Sequence, residues 1–134
     1  MKERIRKADE KMNLEEKCKI LLSVCQECLE RHTEMRALDR EPDFYEEVKP
    51  YADKYHSMLD EWAEESYAWI KVAKPKYVHP SQIDTLTDGM KQFIVQSFYK
   101  KTGLKRFVLT IRSAEYTLKT FLDAIEEERE RELG

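Results

Sequence analysis

The string Lys74-Pro75-Lys76-Tyr77-Val78-His79-Pro80 breaks a chain otherwise made of helix formers. Proline lacks the amide donor a helix needs, and its ring clashes with the preceding turn, so no helix runs through both prolines. On either side lie long stretches in which apolar residues recur three and four positions apart, the spacing of one helix face. The chain must therefore stop, turn and start again here, with an amphipathic helix on each side.

The flanking stretches show the same pattern again. Before the break, Leu14, Cys18, Leu21, Cys25, Cys28, His32 and Met35 share a face, and Leu22 and Leu29 widen it. Asn13 can cap this helix, with Glu16 completing a capping box, and the helix is expected to run to Leu38. Arg40-Glu41-Pro42-Asp43 forms the next connection. Asp43 caps a second helix whose buried side is expected at Phe44, Val48, Tyr51, Tyr55, Met58, Trp62 and Trp69. Pro50 predicts a kink, or a short helix over 43–48 followed by a new start.

After the break, Ser81 is the expected cap of helix three, with Asp84 as its capping-box partner. Ile83, Leu86, Met90, Phe93, Ile94 and Ser97 face inward. Gly103 is expected to end the helix in left-handed geometry, with Lys100 and Lys101 in the last turn. Helix four starts near Leu104, with Phe107, Ile111, Ala114, Leu118, Phe121 and Ile125 on its apolar face. Residues 1–12 read as a charged, frayed extension, and 127–134 as a solvated helical tail.

Four such stripes cover one another most simply in an antiparallel up-and-down four-helix bundle. Composition agrees. Charged residues make up 38% of the 134 residues and glycine occurs only three times, too rarely for the turns of a strand-rich fold. The length suits one domain, able to bury roughly two thirds of its unfolded surface without metal or disulfide staples. No apolar run approaches the roughly 20 residues that span a bilayer, and the basic start lacks a secretory core. With an odd count of three cysteines, these features predict a cytoplasmic, reducing environment. Charge is unevenly spread. Residues 41–70 carry nine acids against two lysines, while 71–112 carry nine bases against two aspartates, which favours pairing of helices two and three.

Several residues in this pattern resemble the YppE-like family of small bacterial helical proteins. They are Trp62-Ala63-Glu64, Ile70-Lys71-Val72, Pro75-Lys76-Tyr77-Val78-His79, Gln82-Ile83, Gln96-Ser97, Lys105-Arg106-Phe107 and Tyr116-Thr117-Leu118, with Lys49-Pro50 earlier. The resemblance spans Asp43 to Glu126 and implies a cytosolic four-helix up-and-down bundle. The family carries no assigned activity, so no catalytic residue is implied. Residues 1–12 and the three cysteines stand outside the shared pattern.

Reactive constellations are sparse. Di-iron bundles use Glu-x-x-His on two helices, and here only Asp53-x-x-His56 comes near it. His32, His56 and His79 fall on separate elements, and His32 reads as a core residue. Cys18, Cys25 and Cys28 sit mid-helix, where cysteine acts as a small apolar side chain. No phosphate loop or nucleophile elbow is present. Catalytic, cofactor and metal sites are therefore all expected to be absent. Two basic clusters, Lys71/Lys74/Lys76 with His79 and Lys100/Lys101/Lys105/Arg106, would lie at opposite bundle ends, which disfavours a continuous nucleic-acid track.

The sequence reading is a non-catalytic protein-interaction module with an unidentified protein partner, a second copy of this chain included, and no membrane partner. Its candidate surface is Lys74, Lys76, Tyr77 and His79, although Tyr77 and Val78 are also expected to plug the bundle end. Tyr45, Tyr51, Tyr67 and Tyr99 are candidates for a contact patch wherever they fall outside the core. The competing reading is a small-molecule or metal-binding bundle with enzymatic activity.

Overall fold

The computed structural model describes residues 12–133. The opening segment 1–11, expected to be a charged extension, and Gly134 lie outside the described residues. Four helices follow one another: α1 (Leu14–Leu38), α2 (Lys49–Ala73), α3 (Pro80–Gln96) and α4 (Leu104–Leu133). Each packs against its sequence neighbour and α4 closes the ring against α1, giving the antiparallel up-and-down bundle.

The helix starts show how local chemistry sets the boundaries. The Asn13 side chain accepts the Glu16 amide at 2.8 Å and the Glu16 carboxylate accepts the Asn13 amide at 3.3 Å, so the capping box forms as the sequence predicts. Asp43 accepts from the Glu46 amide at 3.0 Å. Between Asp43 and α2 the chain makes one π-helical turn, Phe44–Val48. Pro50 sits in the first turn of α2, and its ring would crowd a carbonyl four residues back in a regular α-helix. The wider turn upstream takes up that conflict, so a short helical turn is followed by a new start at Lys49, as Pro50 predicts.

Several details differ from expectation. Helix three starts two residues earlier than a Ser81 cap requires, with His79 as its cap; the Gln82 side chain accepts the His79 amide at 2.6 Å. Pro80 takes the first helical position, where its missing donor costs nothing. Asp84 instead accepts a hydrogen bond from the Tyr67 hydroxyl, tying α3 to α2. Helix three also ends earlier, at Gln96, where the amides of Phe98 and Tyr99 bond three residues back, to the Val95 and Gln96 carbonyls at 3.1 Å, and tighten the chain into a turn. Gly103 is not left-handed. The described left-handed residues are Asp39, Lys74 and Tyr77, the first two of which cap α1 and α2. Phe44, expected in the core, is 46% exposed because the π turn rotates it outward.

The core sits on the bundle axis. Trp62 of α2 reaches across to Phe121 of α4, with ring centroids 5.0 Å apart, and donates its indole N–H to Cys18 Sγ at 3.2 Å. One layer away, Phe107 packs between His32 at 4.5 Å and Phe93 at 6.4 Å. All these rings are buried, and each large side chain so buried contributes about 1.5–3 kcal/mol.

Polar groups also enter the interior. Lys17 is 3% exposed and its ammonium pairs with Glu65, with Glu61 at 3.6 Å. Arg31 lies between the rings of Tyr51 and Phe98, 4.0 and 4.3 Å from their centroids, and donates to Ser97 Oγ at 3.0 Å. Lys91 of α3 meets Asp60 of α2 at 2.6 Å, one instance of the charge match between the acidic and basic helices. Among the described residues, no helix is long and apolar enough to cross a membrane.

Candidate functional site

The α2–α3 connection is shaped by two residues with positive φ. Lys74 (φ 49°) closes α2, its amide bonding the Ile70 carbonyl at 2.9 Å. Tyr77 (φ 61°) reverses the chain again. Left-handed backbone costs an L-residue with a bulky side chain roughly 1–2 kcal/mol, so the surrounding structure must hold it there. The reversal sends adjacent side chains in opposite directions. Val78 turns inward and is 2% exposed, whereas Tyr77 turns outward and is 77% exposed. Val78 thus plugs the bundle end as expected, and Tyr77 does not.

Tyr77 does not stand alone. With Lys76 and Val78 it forms one wall of a depression of about 250 Å³, whose other wall is the polar side of α4: Tyr116, Thr120, Asp123 and Glu127. Tyr116 is 73% exposed. A shallower hollow continues from Lys76 and Tyr77 over Glu127, Glu130 and Arg131. The arrangement offers two exposed aromatic rings with a rim of mixed charge. Tyrosine placed this way can lose apolar area to a partner while its hydroxyl hydrogen-bonds, which is why it is enriched at contact surfaces.

Of the four residues singled out in the sequence, Lys76 and Tyr77 meet in this depression. Lys74 and His79 are exposed on the same connection, outside its lining. Tyr116 and its α4 neighbours were missed. The signal was present, since Tyr116 falls off the Phe107/Ile111/Ala114/Leu118 stripe and is an aromatic on a polar face.

Other candidates are tied up in structure. Tyr51 donates to Glu27 at 2.8 Å and packs at a tilt against Tyr55, and Tyr67 donates to Asp84. Tyr45 is 76% exposed beside Phe44 on the π turn. Burial pushes the Cys18 thiol up to about 11 and raises Cys25 and Cys28 as well, so none is an activated nucleophile. The Asp53 carboxylate pairs with Lys49 at 2.7 Å, and His56 Nε2 faces the Lys91 carbonyl at 3.1 Å. Among the described residues, no three His, Cys, Asp or Glu side chains gather where they could hold a metal ion. At the opposite end of the bundle, Lys100 serves the fold: it joins Asp39 at 2.7 Å and lowers that carboxyl's proton affinity.

Comparison with known proteins places this arrangement. The profile of the bacterial domain of unknown function DUF1798 matches residues 18–125, which take in α2, α3, most of α1 and α4, and the connection carrying Tyr77. The chain belongs to the DUF1798 family. Uncharacterized protein YppE of Bacillus subtilis (strain 168), a relative, is 32% identical over 111 residues, covering 83% of this chain and 90% of YppE. The YppE crystal structure superposes with a TM-score of 0.83 at 31% identity, covering 87% of this chain and 95% of YppE. A Listeria innocua crystal structure shares the fold at 24% identity, with a TM-score of 0.81 and coverage of 87% and 94%. The sequence resemblance to YppE-like proteins is therefore borne out. The DUF1798 match begins at Cys18, so Lys17 lies just ahead of the matched segment and its partners Glu61 and Glu65 lie within it.

Proposed function

We propose that this DUF1798 protein works by contact with another protein, and that the contact surface is the Lys74–Pro80 connection together with the adjoining face of α4. The observation that carries this reading is the pair Tyr77 and Tyr116. Both rings are exposed, both border one depression, and one of them is held there at a backbone conformation that costs free energy. Strain of this kind collects where a side chain must be presented in one direction. Lys74, Lys76 and His79 supply donors at the edge of the surface, and a second copy of the chain is one candidate occupant.

The test is affinity capture from the native cell with the unaltered protein, with a Tyr77→Ser/Tyr116→Ser variant, and with a variant carrying alanine at Lys74, Lys76 and His79. Both variants change only exposed side chains and should keep the helical signal. Loss of a specific partner with the tyrosine variant, and weaker capture with the alanine variant, support the surface. A partner retained in full by the folded tyrosine variant overturns it. Sedimentation of the purified protein decides whether that partner is a second copy.

A further inference from the structure

The Tyr77 surface carries charges of opposite sign on its two walls. The connection is basic: residues 71–80 hold Lys71, Lys74 and Lys76 and no acid. The α4 wall is acidic, with Asp123, Glu127 and Glu130 exposed along two turns of the helix. Arg131 also borders the hollow, and Glu128 offsets its charge at 3.0 Å. Lys76 and Glu127 line the same depression. Even so, none of these three lysines and three acids joins an ion pair among the described residues, so the fold leaves them unneutralised.

Shape is divided in the same way. Tyr77 projects from a left-handed backbone as a ring 77% exposed, and beside it lies the depression of about 250 Å³. A cavity of about 150 Å³ holds a benzene ring, so this one admits a tyrosine ring. One surface thus carries both a knob and a hole, and both a basic and an acidic wall. A partner of a single charge sign would be drawn to one wall and repelled by the other. A copy of the same surface, turned about a two-fold axis, sets knob against hole and base against acid twice over, which is the condition for an isologous contact.

We propose that the occupant of the Tyr77 surface is a second copy of this chain. Tyr77 of each copy enters the other's depression, and Lys74 and Lys76 of each meet Asp123 and Glu127 of the other. The assignment rests on the reading of this surface as a contact site and names what fills it. Because each copy uses the same patch, the contact closes at two and does not propagate. The paired charges lie at an exposed rim, so salt should weaken the dimer.

Sedimentation equilibrium of the untagged full chain over about 1 μM to 1 mM, at low and high salt, tests this. The expected result is a monomer–dimer equilibrium with no larger species, shifting toward monomer as salt rises. Lys74→Glu/Lys76→Glu makes both walls acidic, and Asp123→Lys/Glu127→Lys makes both basic. Each variant alone should self-associate about tenfold more weakly or worse, and an equimolar mixture should recover the affinity as a mixed dimer. A protein that stays monomeric to about 1 mM overturns the proposal. So does a dimer that survives both reversals, or a mixture of the variants no tighter than either alone. If the chain is monomeric and Tyr77→Ser/Tyr116→Ser still loses a different protein in the capture assay, the contact surface stands and the second copy falls. The concentration and salt series on the unaltered protein decides the matter even if a variant fails to fold.

Discussion

Replacing Arg31 with lysine keeps the charge and removes the shape. The guanidinium plane lies between Tyr51 and Phe98 and also donates to Ser97, joining α1, α2 and the turn after α3. Its side chain is only 19% exposed, so water does little to screen these contacts. Each cation–π contact in a partly desolvated setting is worth about 0.5–2 kcal/mol, and a charged hydrogen bond about 1.5–3 kcal/mol. The 3.9 Å pair with half-exposed Glu27 adds little. A lysine keeps part of the cation–π attraction and loses the fork that reaches Ser97. Arg31→Lys should therefore destabilise the fold by about 2 kcal/mol. With a urea slope of roughly 1–3 kcal/mol per molar, the midpoint should fall by about 1 M. Buried Trp62 provides the fluorescence signal. A double-mutant cycle with Tyr51→Leu should return a coupling of about 0.5–1 kcal/mol. An Arg31→Lys midpoint within 0.2 M of the unaltered protein, or zero coupling, would refute the reasoning.

The buried Lys17 pair makes an asymmetric prediction. Lys17→Met, which fills the same space, should change stability by less than about 1 kcal/mol, because Glu65 is one-third exposed and can rehydrate. Glu65→Ala strands a buried ammonium with only Glu61 nearby and should cost about 2–3 kcal/mol; chemical denaturation of both variants checks the order. Tyr77→Gly should stabilise the fold by about 1 kcal/mol by relieving the left-handed strain while abolishing partner capture, and a melt paired with the capture assay tests both halves. Arg40, 2.6 Å from Glu47, holds that carboxyl down to about 2. Because the folded value is the lower one, the stabilisation is complete above the ordinary value of 4.5 and disappears as pH falls from there through about 2. Carboxyl NMR titration should show this, and Arg40→Gln should return Glu47 toward 4.5.

The bundle was legible in the sequence because the three-and-four spacing is a direct imprint of a helix face on a core. Seven inward positions of α1, from Leu14 to Met35, could be assigned with no knowledge of the neighbours. What was not legible arises from contacts remote in sequence or from backbone geometry. Arg31 looks like any surface arginine until Tyr51 and Phe98 arrive from elsewhere. Glycine is the usual left-handed stop, so Gly103 was the natural expectation, yet Asp39 and Lys74 took that geometry at the helix ends. Half of the candidate surface followed from the odd composition of 74–80. The α4 half required knowing which helix lies against that connection. His32 is similar: periodicity correctly put the histidine inside, and only the assembled bundle shows that its Nε2 has no partner among the described residues.

An even number of rods returns the polypeptide to the side from which it set out. Glu15, near the start of α1, grips Arg129, near the close of α4, at 2.6 Å, and Arg131 shares a hollow with Tyr77. A purification tag or fluorescent fusion spliced onto α1's leading end or α4's trailing end would thus hang over the two tyrosines and could mask the very encounter being sought. The loop through Gly103, at the far side, leaves open space around that residue and is the better anchor point for a label.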